Sequence, residues 1–316
     1  MLTTDLSSDN DTVSTTSSLT LVVMAAGLGS RFGGDKQLAR LGPNGETMLE
    51  LSIVRAVKAG FGAAVIVTRA ELISPLQALL ADLPEGFALH FCEQRLLDLP
   101  SECLAIVGDG RYRTKPWGTA HALWSARHLV HGPMVVINAD DFYGEKAFAL
   151  MVQGFARDPE QWQMVAYSLS ETLSENGGVN RGICMTEGGY LISVEEWLDI
   201  RWQQGKLLGR HQDRLAELAP MSLVSMTCWG FTAQIFTQLA HSLSEFVKVS
   251  GLQAASECYL PAVVQACLVS QPCIPQDDGA AIARQVYVNT TDETWLGVTY
   301  PEDSVWVKQK LLELMG

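Results

Sequence analysis

Short β-branched apolar runs recur along the first half of the chain, and segments with apolar residues at helical spacing lie between them. The runs are LTLVVMAA, AAVIVTR, FALHFCEQ and PMVVINADDFYG; the spacers include ETMLELSIVRAVKAGF, ISPLQALLADL and GTAHALWSARHLV. Continuous apolar runs of this length suit strands buried on both faces. Strands that alternate with helices pair in parallel through crossovers. The expected fold is α/β: a single Rossmann-like wound, mostly parallel sheet. Later segments are less regular. QMVAYSLS and LVSMTCWGFT suit strands, AQIFTQLAHSLSEFV and SVWVKQKLLELM suit helices, and RGICMTEGGYLISVEEWLDI suits a hairpin turning at Gly188 and Gly189. One domain over residues 20–316, with a β-hairpin-decorated C-terminal half, is the simplest organisation.

Residues 1–19 are rich in Ser, Thr and Asp and hold no aromatic residue, so a disordered tail is expected there. They lack the basic start and apolar core of a secretory signal. No apolar run is long enough to span a bilayer, so the chain is expected to be soluble, with no membrane partner. The seven cysteines are scattered, with no C-x-x-C pair. That pattern suits free thiols in a reducing cytoplasm, the expected location. A formal net charge of −13 offers no basic footprint for nucleic acid. It leaves room for a small anion, because a local pocket can reverse the sign of the field.

Two unusual segments fall at strand exits, where open α/β sheets bind ligands. The first is GLGSRFGGDK, directly after the opening strand. A glycine loop there can aim several backbone N–H groups at one anion, with Gly27 and Gly29 allowing close approach. Arg31 and Lys36 would add full positive charges suited to a polyphosphate. The spacing matches neither the G-K-[ST] P-loop nor G-x-G-x-x-G. The second segment is NADDFYG, with the paired acids Asp140 and Asp141. Adjacent carboxylates repel, and a cation between them relieves the cost. Magnesium takes one or two carboxylates plus phosphate oxygens and water; an aspartate N-cap is the structural alternative. Between these segments, Gln94 and the Gly118-Thr119 pair offer groups able to read a nucleobase edge or to cap a helix. Arg111, Arg113 and Lys115 could hold phosphate or form a solvated loop.

MAAGLGSRFGGDKQL resembles the opening signature of the sugar-1-phosphate nucleotidyltransferases, also called NDP-sugar pyrophosphorylases. The GGDK segment is closer to that of the molybdenum-cofactor guanylyltransferases. GTAHA is similar to the uridylyltransferases acting on N-acetylglucosamine 1-phosphate. As a whole the chain resembles bacterial nucleotidyltransferases sharing MAAG-x-GSR-[YF]-GG-x-KQ, KPWGTAHA and NADDFYG. The resemblance implies a GT-A-like nucleotidyltransferase fold and an NTP bound by Ala25, Ala26, Gly27, Gly29 and Ser30. It implies catalytic roles for Arg31 and Lys36, and a pyrimidine base read by Gln94, Gly118 and Thr119. Mg²⁺ would sit at Asp140, with Asp141 in support. The family's second metal ligand, an Asp or Asn late in the chain, would fall near Thr299 and Tyr300. Asp303 lies a few positions on, where with Glu302 it suits the start of a helix.

On the acceptor side, Glu195-Glu196-Trp197 stands where sugar enzymes have Glu-Lys-Pro, so the usual phosphate-holding lysine is missing. Arg181 could replace it, with Glu195 on the hydroxyls and Trp229 lining the pocket or lying in the core. The implied activity is nucleotidyl transfer from an NTP to a small phosphorylated acceptor, a sugar 1-phosphate above all. A phosphocholine-type cytidylyltransferase and a non-catalytic nucleotide sensor are the alternatives, and a homo-oligomer is left open.

Overall fold

The computed structural model describes residues 19–27, 36–270, 274–275, 281–282 and 286–316. The strands are β1 (Thr20–Met24), β2 (Ala63–Thr68), β3 (Ala88–Glu93), β4 (Met134–Asn138), β5 (Asp141–Phe142), β6 (Trp162–Ser168), β7 (Val179–Glu187) and β8 (Tyr190–Gln203). They continue with β9 (Lys206–His211), β10 (Arg214–Glu217), β11 (Leu223–Phe231), β12 (Ile274–Pro275), β13 (Ala281–Ile282), β14 (Val286–Thr290) and β15 (Leu296–Gly297). The helices are α1 (Met48–Ala59), α2 (Ala70–Leu79), α3 (Ser101–Val107), α4 (Thr119–Ser125), α5 (Lys146–Arg157), α6 (Ile235–Ser250), α7 (Leu260–Ser270) and α8 (Asp303–Met315).

Eleven strands form one sheet in the order β10-β9-β8-β14-β6-β11-β4-β1-β2-β3, with β7 pairing β11 and β8 off this path. The first half is the wound parallel unit that the alternation predicts. β1 lies between β2 and β4, parallel to both, and β3 runs parallel to β2. The expectation of a mostly parallel sheet needs correcting, because the sheet is mixed. β11 runs antiparallel to β4, β6 and β7, and β7 to β10 form an antiparallel meander. Short turns are the reason: Gly188 and Gly189 join β7 to β8 at positive φ, and Gln204-Gly205 and Gln212-Asp213 join the next pairs the same way. Two-residue connections force antiparallel neighbours, whereas a parallel pair needs a crossover of a dozen residues or more.

Apolar clusters cover both faces. One face packs Leu49, Ile53, Leu72, Leu76, Phe148 and Met151 from the helices onto Leu21, Val23, Ile66, Val135 and Ile137. The other packs Leu123, Leu239, Leu243 and Val264 onto Val22, Met24, Val65 and Val136. The alternation along β1 is why one strand feeds both cores. α1 begins with a reciprocal capping box between Thr47 and Glu50 and ends at Gly60 with φ of 100°. Leu19 falls at the end of the expected tail, yet it is buried and its carbonyl accepts from Gly62 N. The rest of that tail lies outside the described residues. No described helix is long and apolar enough to cross a membrane.

Candidate active site

β1 and β4 run in parallel register, Met24 beside Asn138, so the residues that follow them emerge on one edge of the sheet. Ala139 N donates to Met24 O at 3.1 Å and holds the two exits together. Ala25 and Ala26 are buried, and Gly27 is exposed as the chain leaves the strand. Gly29, Ser30 and Arg31 lie outside the described residues. The chain returns in a 3₁₀ turn at Lys36–Leu38, where Gln37 Nε2 donates to Gly27 O at 3.0 Å. This bond closes the base of the glycine loop. It also aims Lys36 across the edge, and Lys36 Nζ lies 3.0 Å from Asp140 Oδ2. Two residues 104 apart in sequence thus form one ion pair at the exits of adjacent strands.

The neighbouring aspartate has a different environment. Asp141 is buried, and its Oδ2 accepts from Asn138 Nδ2 at 2.8 Å. Burial first, and then the Asp140 charge, raise its pKa well above the usual carboxylate range. Behind it, Gly297 of β15 pairs with Asp141 of β5, and a Cβ at Gly297 would stand 2.8 Å from the Asp141 carboxylate. Tyr143 completes the support: its Oη accepts from Asn138 N at 3.0 Å and lies 3.3 Å from both Asp141 Oδ2 and Thr227 O. Thr227 has φ of 60°, a strained conformation for a β-branched residue, at the bulge where β11 shifts register between Ser225 and Trp229. Beyond the bulge, Leu223–Ser225 pair with β6 and β7 rather than with β4. The β4–β11 ladder therefore stops short of Asn138, and Tyr143 Oη lies between Asn138 N and Thr227 O.

The base-reading candidates meet at one place. Gln94 Nε2 donates to Gly118 O at 3.1 Å, just past the end of β3. Gly118 has φ of 97°, and a Cβ there would stand 2.6 Å from Cys258 O, so the position demands glycine. Thr119 Oγ1 accepts from Leu260 N at 2.8 Å, which caps α7. Arg113 is a structural residue. Its guanidinium lies 3.5 Å over the Trp117 ring and donates to the carbonyls of Lys115, Pro116, Gln253 and Ser256. Arg111 pairs with Asp109 and Lys115 with Glu257, so this basic loop is engaged locally.

The acceptor candidates are dispersed. Trp229 is fully buried and stacks on Phe231 inside the core, which corrects its assignment to an acceptor pocket. An apolar ring at the centre of β11 gains more from packing than from lining a wet cleft. Arg181 is also buried. It donates to Thr172 Oγ1, Thr172 O and Asn180 O, and sits 5.1 Å over the Trp295 ring. Burial lowers its pKa to about 10, partly offset by the Asp141 charge, so it stays cationic at neutral pH. Glu195 is exposed on β8 and lies 3.3 Å from His211 Nε2. Asp303 accepts from Thr299 N, Tyr300 N, Ser174 Oγ and Asn176 Nδ2, and these bonds hold its pKa below the ordinary value. It starts α8 and is turned away from metal duty. Among the described residues no group of three His, Cys, Asp or Glu side chains could hold a metal ion.

Sequence reasoning missed Asn138, Tyr143 and His121. Asn138 and Tyr143 flank the acids within NADDFYG and could have been found from the cost of burying a carboxylate without a donor.

Comparison with known proteins matches residues 21–140 to the MobA-like NTP transferase domain. No curated protein matches the chain. Among solved structures, the inositol-1-phosphate CTP transferase from T. maritima superposes with a TM-score of 0.61 at 13% identity, covering 94% of this chain and 97% of that one. A putative glucose-1-phosphate thymidylyltransferase from Bacillus anthracis gives 0.60 at 14% identity, covering 93% and 95%. The UTP-bound UGPase from Acinetobacter baumannii gives 0.57 at 13% identity, covering 93% of each chain. Residues 21–140 are thus similar to the MobA-like NTP transferase domain, and nearly the whole chain shares the α/β fold of these solved structures.

Proposed function

We propose that the chain transfers a nucleotidyl group from a pyrimidine NTP to a sugar 1-phosphate, with release of pyrophosphate. The observation that carries this reading is the Lys36–Asp140 pair at the shared exit of β1 and β4, at the foot of the glycine loop. An acceptor phosphate oxygen attacks the α-phosphorus, and the bond from that phosphorus to the bridging oxygen of pyrophosphate breaks. Such a step needs positioning and charge neutralisation rather than a covalent nucleophile. Lys36 moves from Asp140 to the departing phosphates, together with Arg31. Gln94 and Gly118 hold the base at the end of β3.

The donor set at this edge fits magnesium. Asp140 is one partly exposed carboxylate, and a substrate-borne Mg²⁺ needs no more from the protein. Asp141, already bonded to Asn138, supports Asp140 from behind. When bound, the metal would neutralise charge on the phosphate oxygens.

The decisive experiment is pyrophosphate release with Mg²⁺, crossing UTP, CTP, dTTP, ATP and GTP with a panel of sugar 1-phosphates and phosphocholine. Release that requires one NTP, one acceptor and an intact Asp140 is the expected result. Nucleotide binding without release under any pairing would favour a sensor, and release with phosphocholine alone would replace the sugar.

A further inference from the structure

His121 is a fully buried residue of α4 that plays no part in the transfer step above. Its Nε2 lies 2.9 Å from Asp98 O and its Nδ1 lies 3.1 Å from Gln94 Nε2. A carbonyl oxygen can only accept, so Nε2 carries the proton and Nδ1 is a bare acceptor. Burial supports the neutral ring, lowering its pKa to about 4. The amide of Gln94 then has one permitted orientation. Its nitrogen donates one hydrogen to Gly118 O at 3.1 Å and the other to His121 Nδ1. Turned over, the amide would set its oxygen against a carbonyl and a ring lone pair. Gln94 Oε1 has no hydrogen-bond partner among the described residues. It stands at the end of β3, on the edge where β1 and β4 also open.

We propose that His121 is a positioning residue that locks the Gln94 amide, so that only its carbonyl oxygen is offered to the nucleobase and uracil or thymine is selected over cytosine. The proposal rests on the nucleotidyltransfer reading for the presence of a base beside Gln94. Uracil and thymine carry a proton on N3 and donate to Oε1. Cytosine N3 is a lone pair and would face another acceptor. A site with a fixed acceptor rejects the mismatched base because its own buried polar group is left unpaired.

Equilibrium binding of UTP, dTTP and CTP with Mg²⁺, without acceptor, tests the selection directly. In the native protein UTP and dTTP are expected to bind at least about tenfold more tightly than CTP. Gln94→Ala and His121→Leu are each expected to reduce that ratio to within about twofold, since the amide is removed or freed to rotate. CTP binding as tightly as UTP, or an unchanged ratio in folded His121→Leu, would overturn the proposal while leaving nucleotidyl transfer standing. Should His121→Leu fail to fold, the ring ¹⁵N shifts of His121 in the native protein decide. A protonated Nε2 with a bare Nδ1 supports the lock, and the opposite tautomer overturns it. Absence of binding by every nucleotide would remove the underlying reading as well, a result distinct from loss of selectivity.

Discussion

Lys36 and Asp140 are each ordinary side chains made consequential by position. Their pair is partly exposed, with side-chain exposures of 17% and 29%, so it contributes little to folding. Lys36→Ala and Asp140→Ala should therefore melt like the native chain. Each should slow pyrophosphate release about a hundredfold, the usual loss when one transition-state charge contact is removed. Near-native turnover by either variant would rule out its role. His121 makes the opposite case, with its consequence in stability. Its pKa is depressed from 6.5 to about 4 in the folded protein, so the unfolded chain takes up a proton first as the solution is acidified. Its contribution is complete above its ordinary pKa and is lost as pH falls toward 4, by about 3 kcal/mol across that window. Urea titrations at stepped pH should show native stability falling through this range, and a shallower fall in His121→Leu. Parallel curves would show that His121 does not titrate as described.

At the scale of elements, short segments hold the site because other segments hold them. α4 is seven residues long and starts on a glycine whose backbone abuts Cys258, with Ala120 N donating to Cys258 O at 3.0 Å. A short helix gains its stability from such docking rather than from its own propensity. Gly118→Ala meets both a left-handed φ and a backbone clash, and should cost about 2 kcal/mol or more in chemical denaturation. Thr119 separates two roles. Thr119→Ala should lose about 1 kcal/mol through the vacated cap of α7, and Thr119→Ser should restore it. If Thr119→Ala instead leaves stability intact and weakens nucleotide binding, base contact is its main work. The β11 bulge is the other such device, because it turns the strand from β4 toward β7 and leaves Asn138 N to Tyr143 Oη.

Across the whole molecule, the wound half is not self-sufficient. β4 lies inside the sheet, paired with β1 on one side and with β11 on the other. β11 arrives some ninety positions later in the chain, and its Trp229 and Phe231 fill the core beneath β4. A fragment ending at residue 145 would expose the β4 edge and that apolar face. It should aggregate or lack a cooperative melt, as read by size-exclusion chromatography and circular dichroism. A monomeric fragment with a sharp transition would show the matched segment to be an independent unit.

The acids after β4, the return turn at Lys36–Leu38 to which Gly27 bonds, and the strand–helix alternation were legible because each is local. Apolar period sets strand or helix, and a glycine-rich turn after a buried strand has few uses. Gly60 as the end of α1 and Gly188-Gly189 as a hairpin turn follow from the same local rules. Residues with the same chemistry but opposite burial could not be told apart in this way. Arg113 and Arg181 could each have held phosphate but are spent largely on backbone carbonyls, and Trp229, which could have lined a pocket or lain in the core, lies in the core. Which groups a side chain meets depends on neighbours that the chain brings in from elsewhere, as Arg113 meets Gln253 and Ser256, 140 and 143 positions on. Local chemistry therefore determined the candidate site's edge: a buried strand followed by a glycine-rich segment, and a carboxylate pair after β4. Only the tertiary structure decided that Lys36 meets Asp140, that Asp141 stands behind it, and that His121 orients Gln94. The first and last are contacts between separate segments, and all three depend on burial and hydrogen-bond partners that exist only once the sheet is assembled.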